Sequence, residues 1–262
     1  MLNGDSFLIV VRALPGAVTM SSLHRSTKLD RSRKEEERIR LAYARRCDGN
    51  LYSLFNPGHR FIIQECERKL LDLLVREGYG ELEDRAVIDI GCGQGFWIQE
   101  FIKWGARPEN LVGVDLLPGR IAEARRVCPA GVKLICANAA DTKFGDGVFD
   151  LAIQATAFTS ILDGSMRRAV AAEMLRVVKP GGIIVWYDYH INNPWNSDVR
   201  GVPKWEIREL FPGCDVALER VTLAPPITRL LAPYSQWMCS LLNLLPFLRT
   251  HYLGCIRKPY IP

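Results

Sequence analysis

Cysteine pairs with metal-ligand spacing are absent from this sequence. Its eight cysteines are scattered over 262 residues without a CxxC motif, and the chain has only four histidines. This pattern argues against a structural zinc site and against the disulfide framework of a small secreted protein. We therefore expect reduced, mostly buried thiols, no metal site and a cytoplasmic protein.

The chain also lacks a block of charge of one sign. Its net charge is only +5, and the most basic stretch, residues 31–46, has Glu35, Glu36 and Glu37 interleaved among its arginines. Opposite charges on one helix partly cancel the field that a phosphate backbone requires. The stretch predicts a solvated helix face, and no nucleic-acid partner is expected.

No apolar segment reaches membrane-spanning length without interruption. Residues 7–11 are apolar, but Arg12 follows them before any cleavage-like site, so a secretory signal is not expected. Residues 230–248 carry no formal charge, yet Pro233, Gln236 and Asn243 would be costly in lipid. This second segment predicts a buried or interfacial helix.

Three regions follow from the pattern along the chain. Residues 1–27 predict a flexible extension, in which Met20 is an alternative start. Residues 28–80 predict a helical cap, with a charged helix at 28–46, a loop at 50–58 and an amphipathic helix at 61–75. Residues 81–262 predict one α/β domain with a cap-like insertion at about 225–248.

Short apolar runs alternate with amphipathic segments from residue 86 onward. The runs are residues 86–90, 111–114, 133–136, 151–153 and 182–186, with later strand candidates at 216–223 and 252–256. Such runs are typical of parallel strands that helices cover on both faces. The predicted class is a doubly wound, mostly parallel α/β fold.

The first apolar run leads into three glycines at alternate positions, Gly91, Gly93 and Gly95. Such a turn allows a ligand to approach the backbone closely. A dinucleotide fingerprint would read GxGxxG, whereas Phe96 makes this pattern GxGxG. Asp89 places a carboxylate near the turn, which would repel a pyrophosphate and attract a cationic ligand.

A second acidic residue, Asp115, ends the next apolar run, twenty residues after Gly95. A carboxylate at the end of the second strand is placed to accept both hydroxyls of a ribose. Its alternative role is that of a helix N-cap.

The order of four motifs resembles that of class I S-adenosylmethionine-dependent methyltransferases. The motifs are DIGCGQG at residues 89–95, GVD at 113–115, NA at 138–139 and LRVVKPGG at 175–182. The resemblance covers roughly residues 60–190. It implies a seven-stranded sheet of order 3-2-1-4-5-7-6 with an antiparallel last strand at 252–256, and S-adenosylmethionine as the cofactor.

The same resemblance implies the cofactor contacts. The three glycines would pass under the methionine and ribose, Asp89 would orient the amino group, and Asp115 would hold the ribose. Leu116 would flank the adenine, Asn138 and Ala139 would contact its edge, and Gln154 would lie near the methionine. The family often has an acid where Asn138 stands, and Gln154 has ordinary strand-end polarity as its alternative role.

Two histidines are the candidate general bases for a hydroxyl acceptor. His190 follows the fifth apolar run at the edge where open α/β sheets bind ligands, and a hydrogen-bonded loop histidine is its alternative role. His59 in the cap is the second candidate, and His251 is expected to be structural. Asp188 and His190 do not make a carboxylate-rich magnesium site, so metal-independent transfer is expected.

Acceptor specificity is expected outside the common core. One predicted wall contains Tyr43, Tyr52, Phe55 and His59, and the other contains residues 193–195, Trp205 and residues 225–246. Tyr234, Trp237 and Met238 in this last segment favour either a cap helix buried on the domain, or an apolar acceptor and contact with a membrane surface.

The predicted function is methylation of a small molecule. The favoured reaction is O-methylation, with N-methylation as the alternative, of a sugar, an aromatic natural product or a lipid-linked glycan. A non-catalytic scaffold or binding subunit is the second hypothesis. An NAD-dependent oxidoreductase is the third, and the GxGxG pattern disfavours it.

Overall fold

The computed structural model describes residues 20–46 and 49–260, without the side chains of residues 20–29. Residues 1–19, which form most of the predicted extension, lie outside the described residues. Helix α1 (Met20–Ala44) begins within that predicted extension, and helix α2 (Pro57–Arg76) follows a loop. The Asn56 side chain caps α2 by accepting hydrogen bonds from the backbone N–H groups of Gly58 and His59.

The remaining elements alternate between strands and helices in the first part of the domain. They are β1 (Val87–Ile90), α3 (Phe96–Lys103), β2 (Leu111–Asp115), α4 (Pro118–Val127), β3 (Lys133–Cys136), β4 (Phe149–Ala155), α5 (Gly164–Val177), β5 (Val178–Tyr189), α6 (Lys204–Leu210), β6 (Asp215–Leu223), α7 (Pro225–Leu231), α8 (Gln236–Leu242) and β7 (Arg249–Arg257).

One seven-stranded sheet has the order β3-β2-β1-β4-β5-β7-β6, which confirms the predicted topology. Strands β1 to β5 pair in parallel, whereas β7 is antiparallel to both β5 and β6. In the register, Ile90 lies opposite Val114 on one side and Gln154 on the other. The carboxyl ends of β1, β2 and β4 therefore meet at one edge of the sheet.

Both faces of the sheet are buried under helices, as the uninterrupted apolar runs predict. Ile88 and Ile184 belong to the core that contacts α5 and α6, whereas Leu151 and Val185 belong to the core that contacts α2 and α3. The two cores fix the strand ends from which the loops at the carboxyl edge project.

Three local expectations are corrected by the structure. Strand β5 begins at Val178, earlier than the predicted run at 182–186, and its irregular start includes Gly181, which has a φ of 76°. His251 is inside β7 rather than before it. The expected helix at 230–248 is two short helices, α7 and α8, and among the described residues no helix is both long and apolar enough to cross a membrane.

Candidate active site

The glycine loop between β1 and α3 is fastened to the end of β2. The N–H groups of Gly91 and Cys92 donate to the Val114 carbonyl at 2.8 and 3.1 Å. Gly91 has a φ of 76°, and a Cβ there would lie 2.8 Å from the Cβ of Ala157 in the β4–α5 connection. A side chain at Gly91 would therefore be both strained and obstructed.

The other two glycines have different neighbours. A Cβ at Gly95, whose φ is 82°, would lie 2.6 Å from the Cys128 Sγ at the end of α4, so Gly95 serves the packing of the loop. A Cβ at Gly93 would lie 3.1 Å from Nη1 of Arg120. Of the three, only Gly91 lines the pocket described below.

Asp115 organises the loops at the end of β2. One carboxylate oxygen accepts a hydrogen bond from the Gly93 N–H at 2.9 Å, and the other accepts one from the Leu117 N–H at 2.8 Å. It does not cap α4, since Leu117 is the N-cap residue and no side chain caps that helix. A carboxylate has about four acceptor positions, so Asp115 retains the capacity to accept ligand hydroxyls.

Asp89 has a buried carboxyl group that no hydrogen bond stabilises within the described residues. It is 2% exposed, and within the described residues neither of its oxygens has a hydrogen-bond partner. Burial, reinforced by the negative charge of Asp115, raises the pKa of Asp89 to about 8. Unpaired buried carboxyls are rare in proteins and concentrate at functional sites.

A pocket enclosing about 760 Å³, part of it open to solvent, lies above these strand ends. Its walls come from α1, the glycine loop, the ends of β2, β3 and β4, and the start of α5. The lining residues are Ile39, Tyr43, Ile90, Gly91, Val114, Asp115, Leu116, Leu117, Arg120, Asn138, Ala139, Ala155, Thr156, Ala157, Ser160, Ile161, Met166 and Val170.

Helix α1 closes one side of the pocket and is tied down by polar contacts. Glu35 accepts hydrogen bonds from the N–H groups of Leu162 and Asp163 at 2.5 and 3.2 Å. Burial opposes ionisation of Glu35, but these bonds and Arg38 lower its pKa on balance. The Tyr43 hydroxyl lies 3.1 Å from the Ser160 hydroxyl, so the helix also contributes to the pocket wall.

Comparison with known proteins shows which family has a similar sequence over these features. Residues 87–182, which include the glycine loop, Asp115 and the start of β5, match a family model described as a methyltransferase domain. Over these residues the chain is similar to class I S-adenosylmethionine-dependent methyltransferases.

Curated relatives match just under half of this chain. It is 35% identical over 126 residues to 2-methyl-6-phytyl-1,4-hydroquinone methyltransferase of Synechocystis, covering 46% of this chain and 36% of that protein. It is 29% identical to sterol 24-C-methyltransferase erg6 of Aspergillus fumigatus, covering 45% and 32%. This chain thus spans about a third of the length of these relatives.

Solved structures share the fold at low identity. The [4+2]-cyclase SpnF aligns with a TM-score of 0.57 at 18% identity, over 76% of this chain and 83% of that one. A SAM-dependent methyltransferase from Methanosarcina mazei aligns with a TM-score of 0.53 at 18% identity, over 70% and 97%. One of these two neighbours is named for a cyclisation, so the fold alone does not specify the reaction.

S-adenosylmethionine is the cofactor of this family, and the residues present fit it. The unpaired Asp89 carboxyl suits a cationic ammonium group, and Asp115 can accept ribose hydroxyls. Leu116 and Ala139 line the pocket with apolar surface that an adenine ring requires. Gln154 is fully buried, accepts from the Ala157 N–H at 3.2 Å and has an unpartnered amide nitrogen within the described residues.

Asn138 lies in the pocket lining, but its side chain is already engaged. Its amide nitrogen donates to a Glu36 carboxylate oxygen at 2.7 Å, and its amide oxygen accepts from the Ala140 N–H at 2.8 Å. Contact of this amide with an adenine edge therefore requires Glu36 to share or release it.

Both candidate bases, His190 and His59, lie away from the pocket lining. The Nε2 atom of His190 is 3.0 Å from the Arg249 carbonyl oxygen, and its ring lies against Tyr252. His59 packs edge-on against Tyr52. Burial lowers the pKa of both histidines, with Arg229 adding to the effect at His59. Their catalytic role stays a prediction.

His251 is enclosed in the core beside the site. Its ring stacks on Tyr187 and contacts Tyr189, and burial lowers its pKa to about 3. Among the described residues, no group of three histidine, cysteine, aspartate or glutamate side chains is arranged to hold a metal ion.

Sequence reasoning missed Arg120, Glu35 and Glu36 as residues of the site. Arg120 lines the pocket and lies over the Tyr43 ring at 4.5 Å. The two glutamates fasten α1 to loops that are more than 100 residues away in sequence. The one available signal was the pair Ile39 and Tyr43, which share a helix face at a spacing of four.

Proposed function

We propose that the protein transfers a methyl group from S-adenosylmethionine to a small, apolar acceptor, with oxygen as the favoured acceptor atom. The bound cofactor supplies an activated methyl group on a sulfonium. The chain's own residues bind it, orient the acceptor and exclude water from the pocket.

One observation carries the proposal: the buried Asp89 carboxyl beside an intact glycine loop and Asp115. An uncompensated buried carboxyl is costly, and a cationic ligand group is the compensation that its surroundings lack. A scaffold that binds no cofactor would gain nothing from keeping this group unpaired. The GxGxG pattern of the loop opposes the oxidoreductase alternative.

The apolar character of the acceptor is supported by the relatives and by the molecular surface. Curated relatives are named for a phytyl hydroquinone, for sterols and, in Mycobacterium ulcerans, for phthiotriol dimycocerosates. In this chain Tyr52 and Phe55 of the predicted acceptor wall are exposed, as are Tyr234 and Trp237. A small aromatic or lipid-linked acceptor fits this surface better than a free sugar.

The cellular location of the protein is also proposed. We place the protein in the cytoplasm, at times on a membrane surface. The cysteines at described positions are free, which suits a reducing compartment.

Calorimetric titration with S-adenosylmethionine and S-adenosylhomocysteine tests the cofactor. Micromolar binding of both by the wild type, and loss of that binding in Asp115→Asn, is the expected result. Asp141→Asn is the control, because this exposed carboxylate pairs only with Lys143. Absence of binding in the wild type would favour the scaffold, and enhanced NADH fluorescence would favour the oxidoreductase.

Transfer of labelled methyl to prenylated hydroquinones, sterols and glycolipids then tests the acceptor and shows which atom is methylated. His190→Ala should keep cofactor affinity and lose turnover if His190 is the base. Turnover at the wild-type rate would remove His190 from the reaction.

A further inference from the structure

The outward sides of α7, α8 and the turn that follows them form an exposed apolar face. We define it as Leu230, Tyr234, Trp237, Met238, Leu241, Leu244 and Phe247. Trp237 and Phe247 are 73% and 75% exposed. Isolated exposed apolar residues are ordinary, whereas a contiguous group of this size marks an interaction surface.

Helix α8 is apolar on both sides. Its inward side, with Cys239 and Leu242, packs in a small core that also contains Leu223 and Ala232. Its outward side carries Trp237 and Leu241, which nothing in the described part of the chain covers. The cap helix therefore packs on the domain through its inward side, whereas Tyr234, Trp237 and Met238, which were expected to be buried if it did, are exposed.

The loop before α2 leads to a contact with helix α7. A Cβ at Gly58 would lie 2.9 Å from the Arg229 Cα, so the start of α2 and helix α7 are in direct backbone contact. Phe55, only three residues before Gly58, is 89% exposed. The exposed Phe55 is thus close in sequence to the point where α2 contacts α7.

The segment that carries the apolar face has charge of one sign. From residue 221 to residue 262 the sequence has no aspartate or glutamate. Arg220 and Arg229 are exposed, and within the described residues neither forms a salt bridge. The Arg249 guanidinium donates to the carbonyls of Asn243 and Arg220, which holds a third cation at the border.

We infer that this face docks the protein on an anionic lipid bilayer. Aromatic and leucine side chains bordered by arginines match the interfacial region of such a membrane. A second copy of the chain fits less well, because a two-fold interface would bring the same arginines of both copies together.

The face lies at the edge of the sheet that holds the pocket. The β6–β7 connection starts where Leu223 pairs with Arg249, next to the pairing of Tyr189 with His251 at the carboxyl end of β5. Docking would place the carboxyl edge next to the bilayer. The inference goes beyond the proposed methyl transfer, and its test needs no turnover.

Vesicle co-sedimentation of the full chain tests the inference. The wild type should bind vesicles of phosphatidylglycerol and phosphatidylcholine, bind phosphatidylcholine alone far more weakly, and be released by salt. The double variant Trp237→Ser with Phe247→Ser should lower the partition coefficient roughly tenfold or more. Arg220→Gln with Arg229→Gln should lower it about fivefold for each arginine.

Matched controls lie elsewhere on the surface. Trp205→Ser changes a tryptophan that is 62% exposed on α6, across the sheet from α7, and Arg126→Gln changes an exposed arginine on α4. Both should bind vesicles as the wild type does, and unchanged melting temperatures verify folding of every variant. No vesicle binding by the wild type, or equal losses in the controls, would overturn the inference. So would a concentration-dependent dimer that Trp237→Ser dissociates while vesicle binding stays unchanged.

Discussion

Replacing Asp89 by asparagine should stabilise the cofactor-free protein at neutral pH. Burial raises the pKa of this carboxyl from 3.8 to about 8. Between these two values the folded state holds a proton that the unfolded chain has released. Folding therefore takes up a proton, and stability falls as pH rises through this window. Asparagine has the same shape and does not titrate, so it removes this dependence.

The size of the effect follows from the two pKa values. Each pKa unit corresponds to about 1.4 kcal/mol, so the proton-linked cost at pH 7 is about 4 kcal/mol. The asparagine amide needs buried hydrogen-bond partners of its own, which offsets about 1–3 kcal/mol of the gain. Because this offset does not depend on pH, the variant's advantage should grow by about 3 kcal/mol between pH 5 and pH 7.

Urea unfolding of both proteins across this pH range measures that growth. Asp215→Asn, which alters an exposed carboxylate at the start of β6, should show none. A constant difference between wild type and Asp89→Asn would mean that the folded protein already compensates the charge, and would refute the reasoning.

Cofactor binding gives the same prediction a second readout. A cationic ligand group near Asp89 would lower its pKa, so the wild type should release a proton, approaching one per site, on binding S-adenosylmethionine at pH 7. Calorimetry in buffers of different ionisation enthalpy measures this release. Asp89→Asn should bind more weakly and release none.

Further substitutions test the glycine loop, the attachment of helix α1 and the buried core. Gly91→Ala should lower thermal stability more than Gly78→Ala, because both glycines have positive φ but only Gly91 meets a neighbouring side chain; equal losses would contradict this. Glu36→Gln should accelerate hydrogen exchange in α1, because it replaces the charged acceptor of the Asn138 amide, and Glu37→Gln, on the exposed side of the helix, should not. His251 stays neutral in the fold, since burial lowers its pKa from 6.5 to about 3, and the unfolded chain therefore binds its proton first as pH falls. His251→Phe should flatten the resulting loss of stability between those pH values in urea titrations, and an unchanged slope would show that other groups cause it.

The sheet and the floor of the site were predictable from local patterns. The buried strands, the glycine turn and Asp115 can each be identified from a few neighbouring residues. Their order along the chain indicates how they assemble. The sheet order and the antiparallel position of β7 are confirmed. Asp89 and Asp115 both adjoin the glycine loop, as expected.

Features that depend on distant partners were not predictable. Glu35 and Glu36 belong to a charged run that predicts a solvated surface, and only the backbone of Leu162 and the amide of Asn138 show otherwise. The pairing of β5 with β7 brings the Arg249 carbonyl within hydrogen-bond distance of the His190 ring. Which side of α8 would be covered depends on the packing of α2 against α7, which no periodicity specifies.

Helix α1 has a consequence for the rates of ligand exchange. Because Ile39 and Tyr43 belong to the wall, any movement of α1 changes the shape of the pocket. The contacts that hold this helix to its loops are mostly hydrogen bonds to backbone, hydroxyl or amide groups, and the exposed Arg45–Asp198 bridge at 3.1 Å adds an ion pair that salt weakens. The attachment of the N-terminal helix thus bears on how long a ligand stays bound, separately from the groups at the strand ends.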